Sequence, residues 1–160
     1  MIFITDRSYE DVQEAQRLNR IKETNWTDDE RDRYVAGLKG SYTYIDMNRV
    51  ESNVGTLRQM LGESGVSVNI VTKTDWTKED IPEQDDIQRY TNNIKEMLRA
   101  FAAFPTTPSP PDNLLHLGYE SANDIERILF DINRLIKFME RNINLGWAMG
   151  IAHIGLHSSI

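Results

Sequence analysis

Apolar residues recur at alternating spacings of three and four along three long stretches of the chain. The first stretch contains Met47, Val50, Val54, Leu57 and Leu61. The same spacing follows Ile87 and Ile125. It places one apolar stripe along each helix, as in helical bundles and coiled coils. The pattern predicts three longer helices, at about 45–62, 83–104 and 120–143.

Two short helices are predicted before these three. Ser8 and Asp11 have the spacing of a capping box, and apolar residues follow at helical intervals, which indicates a helix from about Tyr9 to Glu23. Thr27 can cap a second helix with an acidic first turn, and Gly40 stands where that helix would stop.

Minor β elements are predicted near residues 2–4, 66–72 and 147–157, where the chain is briefly apolar or alternates between apolar and polar residues. The expected fold class is therefore mainly α, a helical bundle of three longer and two short helices with minor β elements. We expect residues 1–143 to form the helical bundle domain, and 144–160 to form an apolar, glycine-containing C-terminal assembly segment.

Each longer helix begins with the pattern aspartate, apolar, polar, arginine, apolar, as in "DMNRV", "DIQRY" and "DIERI". Near a helix N-terminus the aspartate can accept backbone N–H bonds, and the arginine three residues later is within its reach. The separations of 40 and 38 residues suggest an internal repeat, although chance explains such a common helix start equally well. We predict a structural, helix-start role for Asp46 with Arg49, Asp86 with Arg89, and Asp124 with Arg127.

The connector before the last helix, "AFPTTPSPPDNLLHLGYES", holds four of the five prolines. Such a segment is stiff and extended, and it serves either as a rigid crossover or as a ligand for an aromatic groove. A crossover is the preferred interpretation, since the segment joins two strongly periodic helices.

The C-terminal stretch "NLGWAMGIAHIGLHSSI" has no formally charged side chain. Either it folds back as a strand on its own domain, or another chain buries it. We prefer burial by identical copies around a rotation axis and therefore expect a homo-oligomer. The predicted interface residues are Leu145, Trp147, Met149, Ile151, Ile154 and Leu156.

Charge and composition exclude several classes of protein. A net charge of −7 argues against a general nucleic-acid or membrane-surface binder, which needs a clustered basic face. The absence of cysteine excludes a disulfide framework and a thiolate metal site. The apolar start is too short for a signal peptide, so we expect synthesis in a cytoplasm.

The search for catalytic chemistry favours a protein that is not an enzyme. His153 and His157 have the spacing of a metal pair, but Gly150 and Gly155 disfavour a helix there, and no motif surrounds them. We therefore predict no catalytic residue, no metal and no cofactor. Four aromatic residues offer a possible surface-binding set, although packing over the ends of the bundle is the preferred role for the tryptophans: Trp26, Trp76, Tyr42 and Tyr44.

Five stretches carry a resemblance to a known family: "ITDRSYEDV", "AGLKGSYTYIDMNRVESNV", "TKTDWTKEDIP", "FPTTPSPPDNL" and "LGYESANDIERIL". Over residues 2–143 the chain resembles small structural proteins, or modules of larger ones, from phages and prophages of gut Firmicutes, usually encoded near tail genes. The resemblance implies synthesis in a bacterial host cytoplasm, a virion location and other virion structural proteins as partners, and it supplies no catalytic residue. Family members commonly end in a "SGE-like" tail, whereas this chain lacks those acidic residues. The alternative function within the tail is a host-surface receptor- or glycan-binding module.

Overall fold

The computed structural model describes residues 1–100, 103–114 and 117–155, with side chains described up to Asn142. The described chain is mainly helical and forms five α-helices. They are α1 (Tyr9–Arg20), α2 (Asp28–Ala36), α3 (Tyr44–Glu63), α4 (Gln84–Arg99) and α5 (Tyr119–Gly155). A single 3₁₀ turn, Glu23–Asn25, lies between α1 and α2.

Capping residues set the starts of the first three helices. Ser8, Thr27 and Thr43 each accept a backbone N–H of the first turn, and an acidic side chain three residues later bonds back to the cap. These reciprocal bonds satisfy donors that have no partner inside the helix. At the other end of α2, Gly37 has a φ of 96°, a conformation that ends the helix and favours glycine.

The core lies between the three longer helices, which contact one another pairwise. Their apolar stripes meet there, as the spacing predicted, and each fully buried aliphatic side chain stabilises the fold by roughly 1.5–3 kcal/mol. Trp76 and Ile70 join this core from the segment between α3 and α4. The helical core positions are Met47, Val50, Val54, Leu57, Leu61, Tyr90, Ile94, Met97, Ile125, Ile128, Leu129, Ile132 and Ile136.

The minor β elements are not found, since the described residues include no strand. Residues 2–4 and 66–72 have no regular secondary structure, and several of their backbone groups bond to helix side chains instead of a neighbouring strand. Glu126 accepts the N–H of Ile4 at 2.7 Å, and Asn53 donates to the carbonyl of Ile2 at 2.7 Å. Alternation alone could not reveal that helices would supply these partners.

The predicted strand at 147–157 is also wrong over 147–155, because α5 continues through Gly155. Glycine costs only about 1 kcal/mol in a helix interior, and the alanine and methionine residues between the glycines are good helix formers. Residues 156–157 lie outside the described part. Conversely, α4 ends at Arg99 and not at 104.

The proline-rich connector runs between α4 and α5, and its described residues form neither helix nor strand. The Thr107 hydroxyl donates to the buried carboxylate of Asp131 on α5 at 2.8 Å. The connector is thereby fixed to its own domain, as expected of a crossover.

Candidate functional site

The repeated aspartates do not all occupy the same position. Asp46 and Asp86 are the third residues of α3 and α4, and each accepts the backbone N–H of its capping residue. Asp124 is the sixth residue of α5, because that helix begins a full turn earlier, at Tyr119. The prediction of a shared helix start therefore fails for Asp124, and Arg127 lies 3.5 Å from Asp131 instead.

The first helix start belongs to a cluster of four charged side chains, of which Arg7, Asp46 and Glu126 are buried and Arg49 is 17% exposed. Glu126 is fully buried and accepts hydrogen bonds at 2.7 Å from both Arg7 and Arg49. Asp46 accepts from the same two arginines, at 2.9 and 2.6 Å. Arg7 also donates to the carbonyl of Ile4 at 2.7 Å. Two cations and two anions balance, and they join the N-terminal segment, α3 and α5 into one unit.

Two tyrosines extend this ion cluster. The guanidinium of Arg7 lies 5.7 Å from the centre of the Tyr42 ring, and the Tyr42 hydroxyl shares a hydrogen bond with that of Tyr90. Burial raises the pKa of both hydroxyls above the ordinary value of about 10. Both side chains therefore remain neutral at physiological pH.

The second helix start adjoins another buried ion pair. The guanidinium of Arg89 lies 2.8 Å from the carboxylate of Glu51, which is almost completely buried. Its distance to the carboxylate of Asp86 is longer, 3.8 Å. Glu51 also accepts the backbone N–H of Lys73 at 2.9 Å, while Arg89 donates to the carbonyl of Val71 at 3.0 Å. This pair holds the segment between α3 and α4 against both helices.

Three asparagine side chains act as clamps, because each bonds to both backbone groups of one residue outside the helices. Asn123 donates to the carbonyl of Arg7 at 2.9 Å and accepts the N–H of the same residue at 3.0 Å. Asn48 makes both bonds to Trp76, at 2.8 and 2.9 Å. Asn93 makes both to Val71, at 2.7 and 3.4 Å. Each side-chain amide donates to the carbonyl of one residue and accepts the N–H of the same residue, as the backbone of a neighbouring strand would.

The four aromatic residues of the predicted surface-binding set converge on one concave pocket. Its volume is about 760 Å³, and it lies between the C-terminal end of α2, the start of α3 and residues 76–82. We call it the aromatic pocket, and its aromatic lining residues are Trp26, Tyr34, Tyr42, Tyr44 and Trp76.

Neither tryptophan in this pocket is a free stacking platform. Trp76 is only 3% exposed, and the ammonium of Lys73 lies 3.7 Å from the centre of its ring. The ring of Trp26 packs against Tyr34, with centres 4.5 Å apart. Among the described residues, the buried indole N–H of each tryptophan has no hydrogen-bond partner. Both indole nitrogens are shielded from solvent, so they are not available to a molecule in the pocket.

The rim of the aromatic pocket combines exposed apolar side chains with the exposed charged residues Glu23, Arg31, Lys78 and Asp80. Val35 is 73% exposed, and Tyr34 and Tyr44 are 40% and 37% exposed. Ile81, which is 87% exposed, stands between two lining residues, Asp80 and Pro82. Such a concentration of exposed apolar side chains typically marks a surface that binds another molecule.

A second unusual feature is the length of α5. Ile136 is its last buried position with a described side chain, and five of the six residues after it are exposed. The helix nevertheless continues to Gly155. These 19 further residues, called the α5 extension, span about 28 Å at 1.5 Å per residue.

The predicted interface residues Leu145, Trp147, Met149, Ile151 and Ile154 lie on the helical backbone of this extension. Their side chains, and Leu156 entirely, lie outside the described part. So do His116 and His157, two of the three histidines.

The described residues contain no group of three or more metal-ligating side chains that could hold a metal ion. Within the same residues, no helix has the length and apolar character needed to cross a membrane. Comparison with protein-family models, curated proteins and solved structures finds no match for this chain. The phage-family resemblance therefore remains an expectation.

Sequence reasoning missed the residues that organise the buried clusters, above all Arg7 and Glu126. One signal for Glu126 was available. It follows Ala122 by four residues and precedes Leu129 by three, so it falls on the apolar stripe of α5. A charged residue at such a position must have a buried partner of opposite charge.

Proposed function

We propose that this chain is a non-enzymatic structural protein of a phage virion, a building block of a tail, tail tip or baseplate that assembles through protein–protein contacts. The observation that carries the proposal is the α5 extension, since α5 continues for 19 residues after Ile136, its last buried position with a described side chain. The family resemblance over residues 2–143 supplies the virion context.

The composition of the extension supports a role in assembly. Residues 143–155 include no formally charged side chain, and most of them are apolar. A helix of this kind, exposed on a monomer, would form an apolar patch larger than soluble proteins commonly tolerate. Burial against other copies of the chain, arranged around a rotation axis, removes that surface from water.

The use of the buried charges supports a structural role for the domain itself. Arg7, Asp46, Arg49 and Glu126 bond to one another and to backbone groups of the N-terminal segment. Glu51 and Arg89 do the same for the segment after α3. We interpret the three longer helices as a bundle whose interior charges fix its connecting segments.

The direct test is light scattering of the full chain and of a chain that stops at Asn144. We expect an oligomer for the full chain and a folded monomer after truncation, because the truncation removes most of the apolar extension. A helical circular dichroism spectrum of the truncated chain serves as the folding control. A monomeric full chain, or an oligomer that survives truncation, would refute the proposal.

The convergence of four predicted aromatic residues on one pocket favours a second candidate function, a receptor- or glycan-binding module of the tail. A sugar would have to stack on the exposed rim tyrosines, since the tryptophan rings are largely covered. Screening the full chain against host-surface glycans, with Tyr44→Ala as the pocket variant, tests this function. Binding that the variant abolishes supports it, whereas binding unaffected by the variant places the sugar elsewhere.

A further inference from the structure

We infer that a basic groove beside α5 of one copy binds the acidic loop before α4 of the next copy. The inference rests on the proposed function and goes further by naming two additional surfaces that contact each other in the assembly. The groove combines cations with apolar walls, whereas the loop combines carboxylates with one exposed aliphatic side chain.

The groove lies where the α5 extension begins, against the proline-rich connector, and its volume is about 530 Å³. We call it the α5 groove. Its described lining contains three cations, three apolar side chains and no carboxylate, and consists of Phe104, Arg134, Leu135, Lys137, Phe138 and Arg141. Phe138 is 64% exposed, so part of the apolar wall is open to another molecule.

Two of the three cations in the α5 groove have no anionic partner among the described residues. Arg134 lies 3.7 Å from Asp131, and its guanidinium is 5.1 Å from the centre of the Phe104 ring. Lys137 and Arg141 are exposed and form no ion pair with a described side chain. A basic face of this kind on a chain of net charge −7 favours an acidic occupant.

The loop of residues 77–83, called the acidic loop, has the opposite character. Against one lysine it carries three exposed carboxylates, those of Glu79, Asp80 and Glu83. Ile81 is 87% exposed, the highest value among the large apolar side chains described. The backbone N–H and the hydroxyl of Thr77 both donate to the Asp80 carboxylate, at 2.6 and 2.9 Å. These bonds preorganise the loop, which lowers the entropic cost of binding.

The two surfaces match in both charge and polarity. The side chain of Ile81 suits the apolar walls of the α5 groove, and the carboxylates on either side of it suit the cations at the edge. An apolar contact surrounded by charged groups is the usual anatomy of a protein–protein interface. A nucleic acid would match the cations alone, and the net charge of −7 would repel it.

The contact forms between copies and not within one chain. Ile81 and Phe138 both remain largely exposed in the single chain, so neither surface covers the other there. The acidic loop precedes α4, whereas Phe104 follows it, and the 16 residues of α4 span about 24 Å at 1.5 Å per residue. A contact between two different surfaces generates a ring when the rotation closes, in agreement with the proposed rotation axis.

This contact strengthens the assembly but does not hold it alone. One loop of seven residues buries less than the roughly 1,200–2,000 Å² of a stable interface. The α5 extension therefore supplies most of the stability. A chain that stops at Asn144 retains both surfaces and is still expected to be monomeric.

The test reverses the charges of each surface in the full chain. Lys137→Glu with Arg141→Glu reverses the α5 groove, and Glu79→Lys with Glu83→Lys reverses the acidic loop. A third chain carries all four substitutions, so that both surfaces are reversed and again complementary. Because Glu83 directly precedes α4, Glu79→Lys alone serves as the loop reversal should Glu83→Lys reduce helicity.

Lys22→Glu with Arg58→Glu is the matched control for the groove reversal. It changes the net charge by the same amount, at two exposed positions outside the α5 groove and the acidic loop. Circular dichroism verifies that every variant is folded. Light scattering over a dilution series then gives the protein concentration at which half of each assembly has dissociated.

We expect either reversal alone to raise this concentration by roughly tenfold or more, because like charges then face each other. The chain with both reversals should regain the value of the unaltered chain, and the control should not depart from that value. A reversal without effect, or a doubly reversed chain no better than the groove reversal alone, overturns the inference.

The outcomes also separate the inference from the proposed function. If truncation at Asn144 yields monomers while the reversals have no effect, the proposed function stands and the inference fails. A monomeric unaltered chain refutes both. A short single-stranded oligonucleotide that binds the unaltered chain but not the groove reversal, without any change in assembly, assigns the α5 groove to a polyanion and overturns the contact between copies.

Discussion

Glu126→Gln should be among the most destabilising conservative substitutions in this protein. Glu126 is fully buried and accepts hydrogen bonds at 2.7 Å from Arg7, from Arg49 and from the backbone N–H of Ile4. Glutamine has almost the same shape but lacks the charge, so the buried guanidinium of Arg7 and the partly exposed one of Arg49 would share only the carboxylate of Asp46. The change therefore tests electrostatics with little change in packing.

The expected loss follows from the cost of leaving a buried charge without its partner, about 3–5 kcal/mol. Glutamine can still accept one of the hydrogen bonds, so we expect a loss near the lower limit, about 3 kcal/mol. A domain of this size is stable by roughly 5–15 kcal/mol, so the loss is a large fraction of the total. At about 2–4 °C per kcal/mol, Tm should fall by roughly 6–12 °C.

Urea denaturation followed by circular dichroism measures this change, with a lower midpoint and an unchanged slope as the expected result. Asp124→Asn is the matched control, because Asp124 lies on the same helix and makes no hydrogen bond or ion pair with any described residue. Its substitution should change the free energy of unfolding by less than about 0.5 kcal/mol. A loss below about 1 kcal/mol for Glu126→Gln would show that the buried cluster does not stabilise the fold as described.

Three further predictions concern the clamps, the buried hydroxyls and the glycines. Asn93→Ala should cost about 1–3 kcal/mol and accelerate amide hydrogen exchange at Val71, because the backbone of that residue loses both clamp bonds; unchanged exchange would contradict the clamp. Burial raises the pKa of the Tyr90 hydroxyl, so its stabilising contribution is complete below about pH 10 and is lost as the pH rises further. In ultraviolet titration, Tyr90→Phe should have one fewer tyrosine that resists ionisation near pH 10 than the unaltered chain, since burial also raises the pKa of Tyr42. Gly40→Ala should be strongly destabilising, since the added Cβ would lie 1.9 Å from a backbone carbonyl oxygen of α1. Gly62→Ala, where no neighbouring atom lies within 4 Å, should instead stabilise α3 by about 0.5–1 kcal/mol; equal effects at the two glycines would refute the packing argument.

The five helices could be predicted because their signals are local. Apolar spacing specifies the buried face, and a cap such as Thr43 lies within three residues of the group it bonds. Asp124 was assigned wrongly to a helix start because a local signal is ambiguous. Five residues that resemble a helix start can equally lie within a helix that begins earlier. The local pattern contains no information about Tyr119, where α5 begins.

The extended segments could not be assigned correctly from sequence, because their bonding partners are distant in the chain. Arg7 and Asn123 are separated by 116 residues, and Val71 and Asn93 by 22. An asparagine in a helix ordinarily suggests a solvent-exposed position, and nothing local indicates that it will bond to another segment's backbone. The conformation of these segments therefore depends on hydrogen bonds that form only in the tertiary structure.

The aromatic residues of the candidate site could be identified from the sequence, but the pocket that they form could not. The aromatic residues stood out in the sequence, and their convergence could not be known until the loop before α3 and residues 76–82 were placed together. We predicted that the tryptophans pack over the ends of the bundle; Trp76 is buried in the core, to which a large aromatic ring contributes much apolar area. The length of α5 was underestimated because glycine spacing was weighted above the helix-forming residues between the glycines.

Assembly is the central claim, and the mass and symmetry of the purified full chain test it most directly. Native mass spectrometry, combined with electron-microscopic class averages, measures both on the same sample. The account predicts one dominant species whose mass is an integral multiple of 18.5 kDa and whose averages show a rotation axis. A species of 18.5 kDa alone at micromolar concentration would contradict it.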